Sequence, residues 1–404
     1  MSLAVDPLIS NILFTLNLLP HFARLRPSAP SAPPKSGSIR PFVTIIVALY
    51  KERLEDISIT VCSLVDQTYP KNRYEVLFCL EPDDVDTTIA LRPCLDRLLE
   101  VGVTASLLYT DGTRHTKPYA LNTAIARARG DYCAFYDASD TIDPDQVARA
   151  MDLMEQGGYD VAQARVFRKG VSLLSRLLLL DTLVWYCKYM PLLLRLAHGF
   201  PLSGEGLFIR RRTLQEAGNF PDVLTEDALL GMMLTERSRR FTLLDSTVFE
   251  KAPRNARAHF KQKLRWLRGY ITCLRALIRS RLGWQKRLAF FLVFSTPVAS
   301  GVGFLGWVAI VVGLLTSLLT DRFDLNLYIL QLPVYYRILH YWSIFLAVFC
   351  IPLCIMSTLH VSWRMKMLRS GLVAFLLPVY WIFVGFCSVC SFFRGTLDWG
   401  KTDR

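Results

Sequence analysis

The sequence predicts two unlike parts: an α/β domain with a largely parallel sheet covered on both faces, followed by a set of apolar helices that sit in a bilayer. Three observations predict this. Apolar residues make up 52% of the 404 residues, yet they are concentrated after Leu288, where charges nearly vanish over long stretches. From Phe42 onward, short apolar runs alternate with segments of helical spacing, which is the pattern of a sheet with covering helices. A chain of this length has room for two units, at about 100 to 200 residues per domain.

The elements follow in order. Leu3 to Leu19 is moderately apolar, contains Asp6, Asn11 and Asn17, and ends at His21, Arg24 and Arg26. It lacks a basic start and a small-residue cleavage site, so it reads as an interfacial helix or a poor first span and not as a secretory signal. Pro27 to Ser38 is rich in Pro, Ser and Ala and reads as a linker. Val43 to Leu49, Glu75 to Leu80, Ala105 to Tyr109 and Tyr132 to Tyr136 read as buried strands, with helices over Leu54 to Asp66 and Tyr119 to Arg129. The stretch Val171 to Leu196 is apolar and aromatic but interrupted by Arg176, Asp181 and Lys188, which favours a helix lying at an interface over a span.

A strongly basic helix from about Arg257 to Arg268 reads as a surface anchor. Leu288 to Leu319 then runs for 32 apolar or small residues, about 48 Å as a helix against a hydrocarbon core of about 30 Å. It either breaks near Pro297 after an interfacial lead-in or folds as a hairpin. Further spans are expected at about Tyr341 to His360 and Gly371 to Phe393. The loop between them carries Arg364, Lys366 and Arg369 and is placed in the cytosol by the positive-inside rule. The resulting division is 1–40, an α/β domain at 41–255, the basic helix region at 256–287, about three membrane helices at 288–393 and a tail at 394–404.

Composition narrows the function. The net charge of +13 suits a membrane surface or anionic small molecules. No zinc finger or basic zipper is recognisable, so no nucleic-acid partner is expected. The ten cysteines have no regular spacing and read as reduced, mostly buried small hydrophobes, with neither a disulfide framework nor a zinc site.

In doubly wound sheets ligands bind beyond the carboxyl ends of the strands, so the polar residues that follow each strand are the candidates. The first strand runs into Tyr50-Lys51-Glu52 and the second into Glu81-Pro82-Asp83-Asp84, acidic groups that can hold a nucleoside's base and ribose or simply cap a helix. Lys117 stands just before a helix started by Pro118, where a cation is unfavourable unless an anion lies between it and the helix end. Asp137-Ala138-Ser139-Asp140 ends a buried strand in clustered carboxylates, which suit Mg2+ or Mn2+ completed by a substrate diphosphate. Glu226 and Asp227 open an apolar helix, where a carboxylate caps the helix or serves as a general base. Gln262, Arg265 and Trp266 lie on the basic helix.

These motifs, in this order from about Phe42 to Gly269, resemble the membrane-integrated family 2 glycosyltransferases, such as the synthases of cellulose, chitin, hyaluronan and mannan. The resemblance implies a GT-A fold with C-terminal membrane helices. It implies that Tyr50, Glu52, Glu81 and Asp83 meet the nucleoside, with Glu81 where the family usually has aspartate, and that Lys117 lies near the diphosphate. Asp137 matches the first aspartate of the D-x-D metal motif; the third position is Ser139, and Asp140 takes its place. Asp227 matches the catalytic base of T-E-D, with Glu226 beside it, and Gln262, Arg265 and Trp266 match Q-x-x-R-W, which holds the diphosphate and the acceptor end.

The implied activity is inverting transfer from a UDP- or GDP-sugar to a growing β-linked polysaccharide at the plasma or inner membrane, with the catalytic domain in the cytosol. The alternative is addition of one or a few sugars to a membrane lipid. A silent scaffold has no need of Lys117, Asp137, Asp227 and Arg265.

Overall fold

The four expected strands form the parallel half of a larger sheet in the computed structural model, which describes residues 40–320, 327, 330–331 and 333–393. The N-terminal segment, its linker and the tail at 394–404 lie outside the described residues. The strands are β1 (Val43–Leu49), β2 (Tyr74–Leu80), β3 (Thr104–Tyr109), β4 (Tyr132–Tyr136), β5 (Thr141–Ile142), β6 (Val161–Lys169), β7 (Leu207–Arg210) and β8 (Phe241–Lys251). Among the described residues they form one sheet in the order β3-β2-β1-β4-β7-β6-β8-β5. β2 pairs in parallel with β1 and β3, and β1 in parallel with β4.

Every residue of β2 is buried, as expected of a parallel strand covered on both faces and written almost wholly in apolar residues. Its one carboxylate, Glu75, is matched: it accepts from Thr44 Oγ1 at 2.7 Å and pairs with Arg129 at 2.6 Å, as a buried charge requires. Past β4 the sheet is mixed. β7 runs antiparallel to both β4 and β6, and β5 antiparallel to β8, while β6 and β8 pair in parallel, so the largely parallel expectation fails at β7 and β5. The connection from β6 to β7 carries the helical stretch Leu173–Ala197, and β7 inserts between β4 and β6 running against both.

The helices are α1 (Leu54–Val65), α2 (Val85–Glu100), α3 (Lys117–Arg127), α4 (Gln146–Gly157), α5 (Leu173–Val184), α6 (Met190–Ala197), α7 (Arg211–Ala217), α8 (Glu226–Glu236), α9 (Ala256–Arg279), α10 (Trp284–Phe294), α11 (Thr296–Thr320), α12 (Val334–Arg364), α13 (Leu368–Gly371) and α14 (Leu377–Ser391). The aromatic stretch around Trp185 is α5 and α6 joined through a π-helical turn at Trp185–Tyr189. It packs on β6, and about half of it is buried in protein.

The long apolar segment divides between α10 and α11 at Ser295. Thr296 Oγ1 donates to the Val293 carbonyl at 2.6 Å, and Pro297, which has no N–H to give, stands in the first turn of the new helix. Among the described residues, three helical stretches are long and apolar enough to cross a membrane: Leu173–Ala197, Thr296–Leu319 and Leu368–Ser391. The helix α12 covers the segment expected as the second span.

The two parts are joined by side chains. On α9, His259 stacks on Tyr380 and Phe383 of α14, and Phe260 meets Phe386. α14 in turn lies tightly on α11, since a Cβ on Gly385 would stand 2.6 Å from that of Phe304. Counter to the expectation that the cysteines form no C-x-x-C pair, Cys387 and Cys390 in α14 stand at that spacing; both are free thiols.

Candidate active site

Parallel register places three loops side by side. Leu49 pairs with Leu80, and Val47 with Tyr136, so Tyr50, Glu81 and Asp137 leave the sheet at one edge. They line a cavity of about 1250 Å³ together with Glu52, Lys117, Glu226, Asp227, Gln262, Arg265 and Trp266. Typical small-ligand pockets run to about 300 to 1,000 Å³, so this one has room for more than a single small molecule.

The first loop is held from the second. Asp84, the N-cap of α2, accepts from Lys51 N at 2.5 Å, and Thr87 Oγ1 accepts from Glu52 N at 2.9 Å. Lys51 takes a left-handed φ of 53° and its ammonium lies 4.9 Å from the Tyr50 ring centre. Asp83 is exposed and outside the cavity lining, whereas Glu81 is buried within it, accepting from Thr110 Oγ1 at 2.5 Å with His115 Nδ1 3.4 Å away.

The turn after β4 is clamped by Thr60 of α1. Its hydroxyl donates to the Asp137 carbonyl and accepts from Asp140 N, both at 2.9 Å, while Ser139 adopts φ 71°. Such a conformation costs a non-glycine residue about 1 to 3 kcal/mol and persists where the surroundings impose it. Asp140 is fully buried; one oxygen accepts from Asp137 N at 2.8 Å, and the other, like Ser139 Oγ, has no hydrogen-bond partner among the described residues. Burial, and then Glu205, Asp137 and Glu250, push its carboxyl well above the usual carboxylate range.

This donor set fits a hard divalent cation. A buried carboxylate oxygen without a partner, beside Asp137 and a hydroxyl, is what oxygen coordination would satisfy. Among the described residues no three His, Cys, Asp or Glu side chains converge to hold a metal unaided. Phosphate oxygens would have to complete its shell.

Lys117, at the start of α3, lies 2.5 Å from Asp137 Oδ1. Burial opposes its charge, but Asp137, Glu205 and Glu226 outweigh that and hold the ammonium above its ordinary range. Gly204 lies between Lys117 and the base candidate: a Cβ there would be 3.2 Å from Lys117 Nζ and 3.6 Å from Asp227 Oδ2. Its turn is set by Gln163, whose amide donates to the Glu205 carbonyl at 2.7 Å and accepts from Ser203 N at 3.0 Å.

Asp227 and Glu226 begin α8. Asp227 Oδ1 accepts from Ala228 N at 2.7 Å; burial raises its carboxyl above the usual range, opposed by that N–H and by Lys117, Gly204 N and Arg265. Glu226 is buried, and desolvation followed by repulsion from Asp227 pushes it up to about 8. The helix start is fixed by α9, which passes so close that a Cβ on Gly269 would stand 2.3 Å from Thr225 Cγ2.

On α9, Gln262 is buried with its oxygen unpartnered among the described residues, as is Arg265 Nε. Trp266 lies between two cations: Arg168 is 4.5 Å from its ring centre and Lys263 5.3 Å. Lys263 also pairs with Asp181 at 2.8 Å, and Arg168 with Glu250 at 2.9 Å. Sequence reasoning missed Arg168, Glu250, Asp84 and Thr60, and gave no role to Glu205 in the run Ser203 to Gly206. Asp84 sat visibly in the acidic run after β2; Arg168 and Glu250 meet through the pairing of β6 with β8, and Thr60 reaches the site through the packing of α1 on the turn after β4.

The arrangement brings together an acidic wall, a cation beside clustered carboxylates, and a buried carboxylate near an arginine. The family described as "Glycosyl transferase family group 2" matches residues 133–392, and "Glycosyl transferase family 2" matches residues 44–216. No curated protein matches the chain. Among solved structures, the mannosyltransferase PcManGT from Pyrobaculum calidifontis, in complex with GDP-Man and Mn2+, is 16% identical with a TM-score of 0.58, over 93% of this chain and 96% of that one. At that identity the likeness is one of fold. S. aureus TarS 1-349, in complex with UDP, is a looser match at 13% identity and a TM-score of 0.43, over 87% of this chain and 91% of that one. The two family matches fall on the sheet, the cavity and the helices that close it, the first spanning more than half of the sequence, and the chain belongs to the family 2 glycosyltransferases.

Proposed function

We propose that this chain transfers a sugar from a UDP- or GDP-sugar, with inversion, to an acceptor hydroxyl at a membrane surface. One observation carries the reading: Asp227, Lys117 and Asp137 meet around Gly204 in a cavity that Tyr50 and Glu81 also line. The base, a cation for the leaving group and the nucleoside wall are then within reach of one substrate.

Asp227 takes the acceptor's proton. Ala228 N donates to Oδ1, and Oδ2 lies on the Gly204 side, where the Gly204 N–H also supports the carboxylate; the remaining lone pair is offered to the acceptor. Displacement by a single attack gives a β-linked product from an α-linked donor. Lys117 and Arg265 face the diphosphate, where fixed charge out of water stabilises the developing negative charge. Asp137, with Ser139 beside it on the cavity wall, would hold Mg2+ or Mn2+, which when bound neutralises diphosphate charge, while Asp140, buried behind the turn, supports Asp137 by accepting from its N–H. The nucleoside is taken by Tyr50, Glu52 and Glu81, while Asp83 is too exposed to contribute strongly.

The acceptor is a glycan end or a glycolipid. Q-x-x-R-W favours a polymer, as in the synthases this chain resembles, and the chemistry at Asp227 is the same for both. α11 and α14 support placement in a plasma or inner membrane with the sheet domain in the cytosol. The loop at Arg364 to Arg369 supports the same side, because α13 packs on α5 of that domain.

The test is to incubate the purified protein with a panel of labelled UDP- and GDP-sugars and follow release of the nucleoside diphosphate. Release from one donor, dependent on an acceptor, is expected. Absence of release and of binding with every donor would end the transferase reading.

A further inference from the structure

The cavity does not stop at the transferase site. Beyond Trp266 it continues without interruption between the apolar helices, lined by Thr296, Gly303, Trp307 and Ile310 of α11 and by Leu377 and Trp381 of α14. The two halves differ in kind. The first is charged; the second has no charged side chain among its described lining residues, and the boundary lies at the Lys263–Asp181 pair and Tyr380.

The hydroxyls in the second half are largely spent on their own helices. Thr296 donates to Val293 and Thr358 to the Cys354 carbonyl at 2.8 Å. A glycan threaded here would bury several hydroxyls per sugar against few partners, and unpaired buried hydroxyls are unfavourable. An alkyl chain has none to lose. There is also room for one: among the described residues nothing lies within 4 Å of where a Cβ would stand on Gly303 or Gly306. The groove reaches the outer surface of α11, where Trp307 is 54% and Ile310 49% exposed, so an amphiphile could enter sideways from the bilayer.

We propose that the membrane half of this cavity binds the alkyl chain of a lipid acceptor, whose headgroup hydroxyl it delivers to Asp227. The proposal rests on the transferase reading above and decides its acceptor. In the step, the donor's anomeric carbon loses its bond to the diphosphate oxygen and gains one to the lipid's hydroxyl oxygen. The hydroxyl proton passes to Asp227, and the nucleoside diphosphate leaves with the electron pair.

The test uses the full chain in bilayer nanodiscs with the donor identified above and a series of alkyl glycosides from butyl to dodecyl as acceptors. Each buried methylene is worth about fourfold in affinity, so kcat/KM should climb with chain length until the groove is filled. Gly306→Leu, which occupies the groove, should flatten that climb while leaving the donor's Kd unchanged. In parallel, a photoreactive alkyl glycoside should label peptides from 296–310 and 377–384 in the unaltered protein, so the proposal is tested even if the variant misfolds. Chain-length independence, a water-soluble polymeric product, or labelling confined to other peptides would overturn it. Those outcomes leave donor turnover intact, whereas failure of the transferase reading removes donor binding in the absence of any lipid.

Discussion

Lys117 Nζ lies 2.5 Å from Asp137 Oδ1, and the same ammonium is 3.2 Å from where a side chain on Gly204 would begin. The cation is therefore held between the carboxylate expected at the metal and the turn that borders the base. The chemistry depends on no side chain intruding there. Gly204→Ala should keep the fold, since the glycine has no left-handed φ, but force Lys117 or Asp227 to give way. We expect kcat to fall about tenfold or more, because small displacements of reacting groups are costly, with Tm nearly unchanged. Unaltered kcat would show that the close approach does not matter.

Asp227→Asn removes the proton acceptor while preserving shape. Transfer should drop by about 10² to 10⁴ or more, with donor affinity within about twofold of the unaltered protein, allowing for the loss of one charge near the diphosphate. Steady-state turnover and calorimetric titration with the donor separate the two effects. Turnover that survives would assign the base elsewhere.

Removing divalent cations with EDTA should stop transfer, and Mn2+ or Mg2+ should restore it. Asp137→Asn and Asp140→Asn should each raise the Mn2+ concentration needed for half-maximal rate, Asp140→Asn the less direct of the two because its side chain lies behind the turn. Full activity in EDTA would remove the cation from the mechanism. Metal titration of donor binding gives a readout independent of turnover.

The pair at the start of α8 predicts a pH dependence. Glu226 is raised from an ordinary 4.5 to about 8 by burial and by Asp227, so between those values the folded chain holds a proton that the unfolded chain has lost. Its stabilising contribution is thus full below about pH 4.5, declines as pH rises through about 8, and is absent above. Glu226→Gln should flatten the fall of Tm between pH 5 and 9. It should leave the acidic limb of kcat/KM in place, because Glu226 is already protonated and uncharged where Asp227 ionises. A limb that moves would show that Glu226 carries charge in that range.

Much of the parallel half was legible because buried parallel strands write themselves as uninterrupted apolar runs: Val43–Leu49 and Tyr132–Tyr136 stand where periodicity put them, and β2 and β3 begin one residue earlier than expected. The mixed half was not, because β7 is four residues long and its antiparallel place between β4 and β6 comes from long-range pairing that no local pattern records. Tyr50, Glu81, Lys117, Asp137 and Asp227 could be found as polar residues next to strand or helix ends. Thr60, Arg168 and Glu250 could not, since their role comes from partners 77, 98 and 82 residues away in Asp137, Trp266 and Arg168.

By itself the sequence determined which chemistry is available: carboxylates, a lysine and an arginine at element ends, and apolar helices after them, because composition and local spacing are properties of contiguous residues. Only the tertiary structure decided how these are shared out. It set Asp140 behind its turn and Asp83 outside the cavity, left Gly204 bare between cation and base, and ran the charged cleft on into the apolar groove of α11 and α14. Each of these depends on the register of strands and the closeness of helices far apart in the chain, distances on which no local pattern reports.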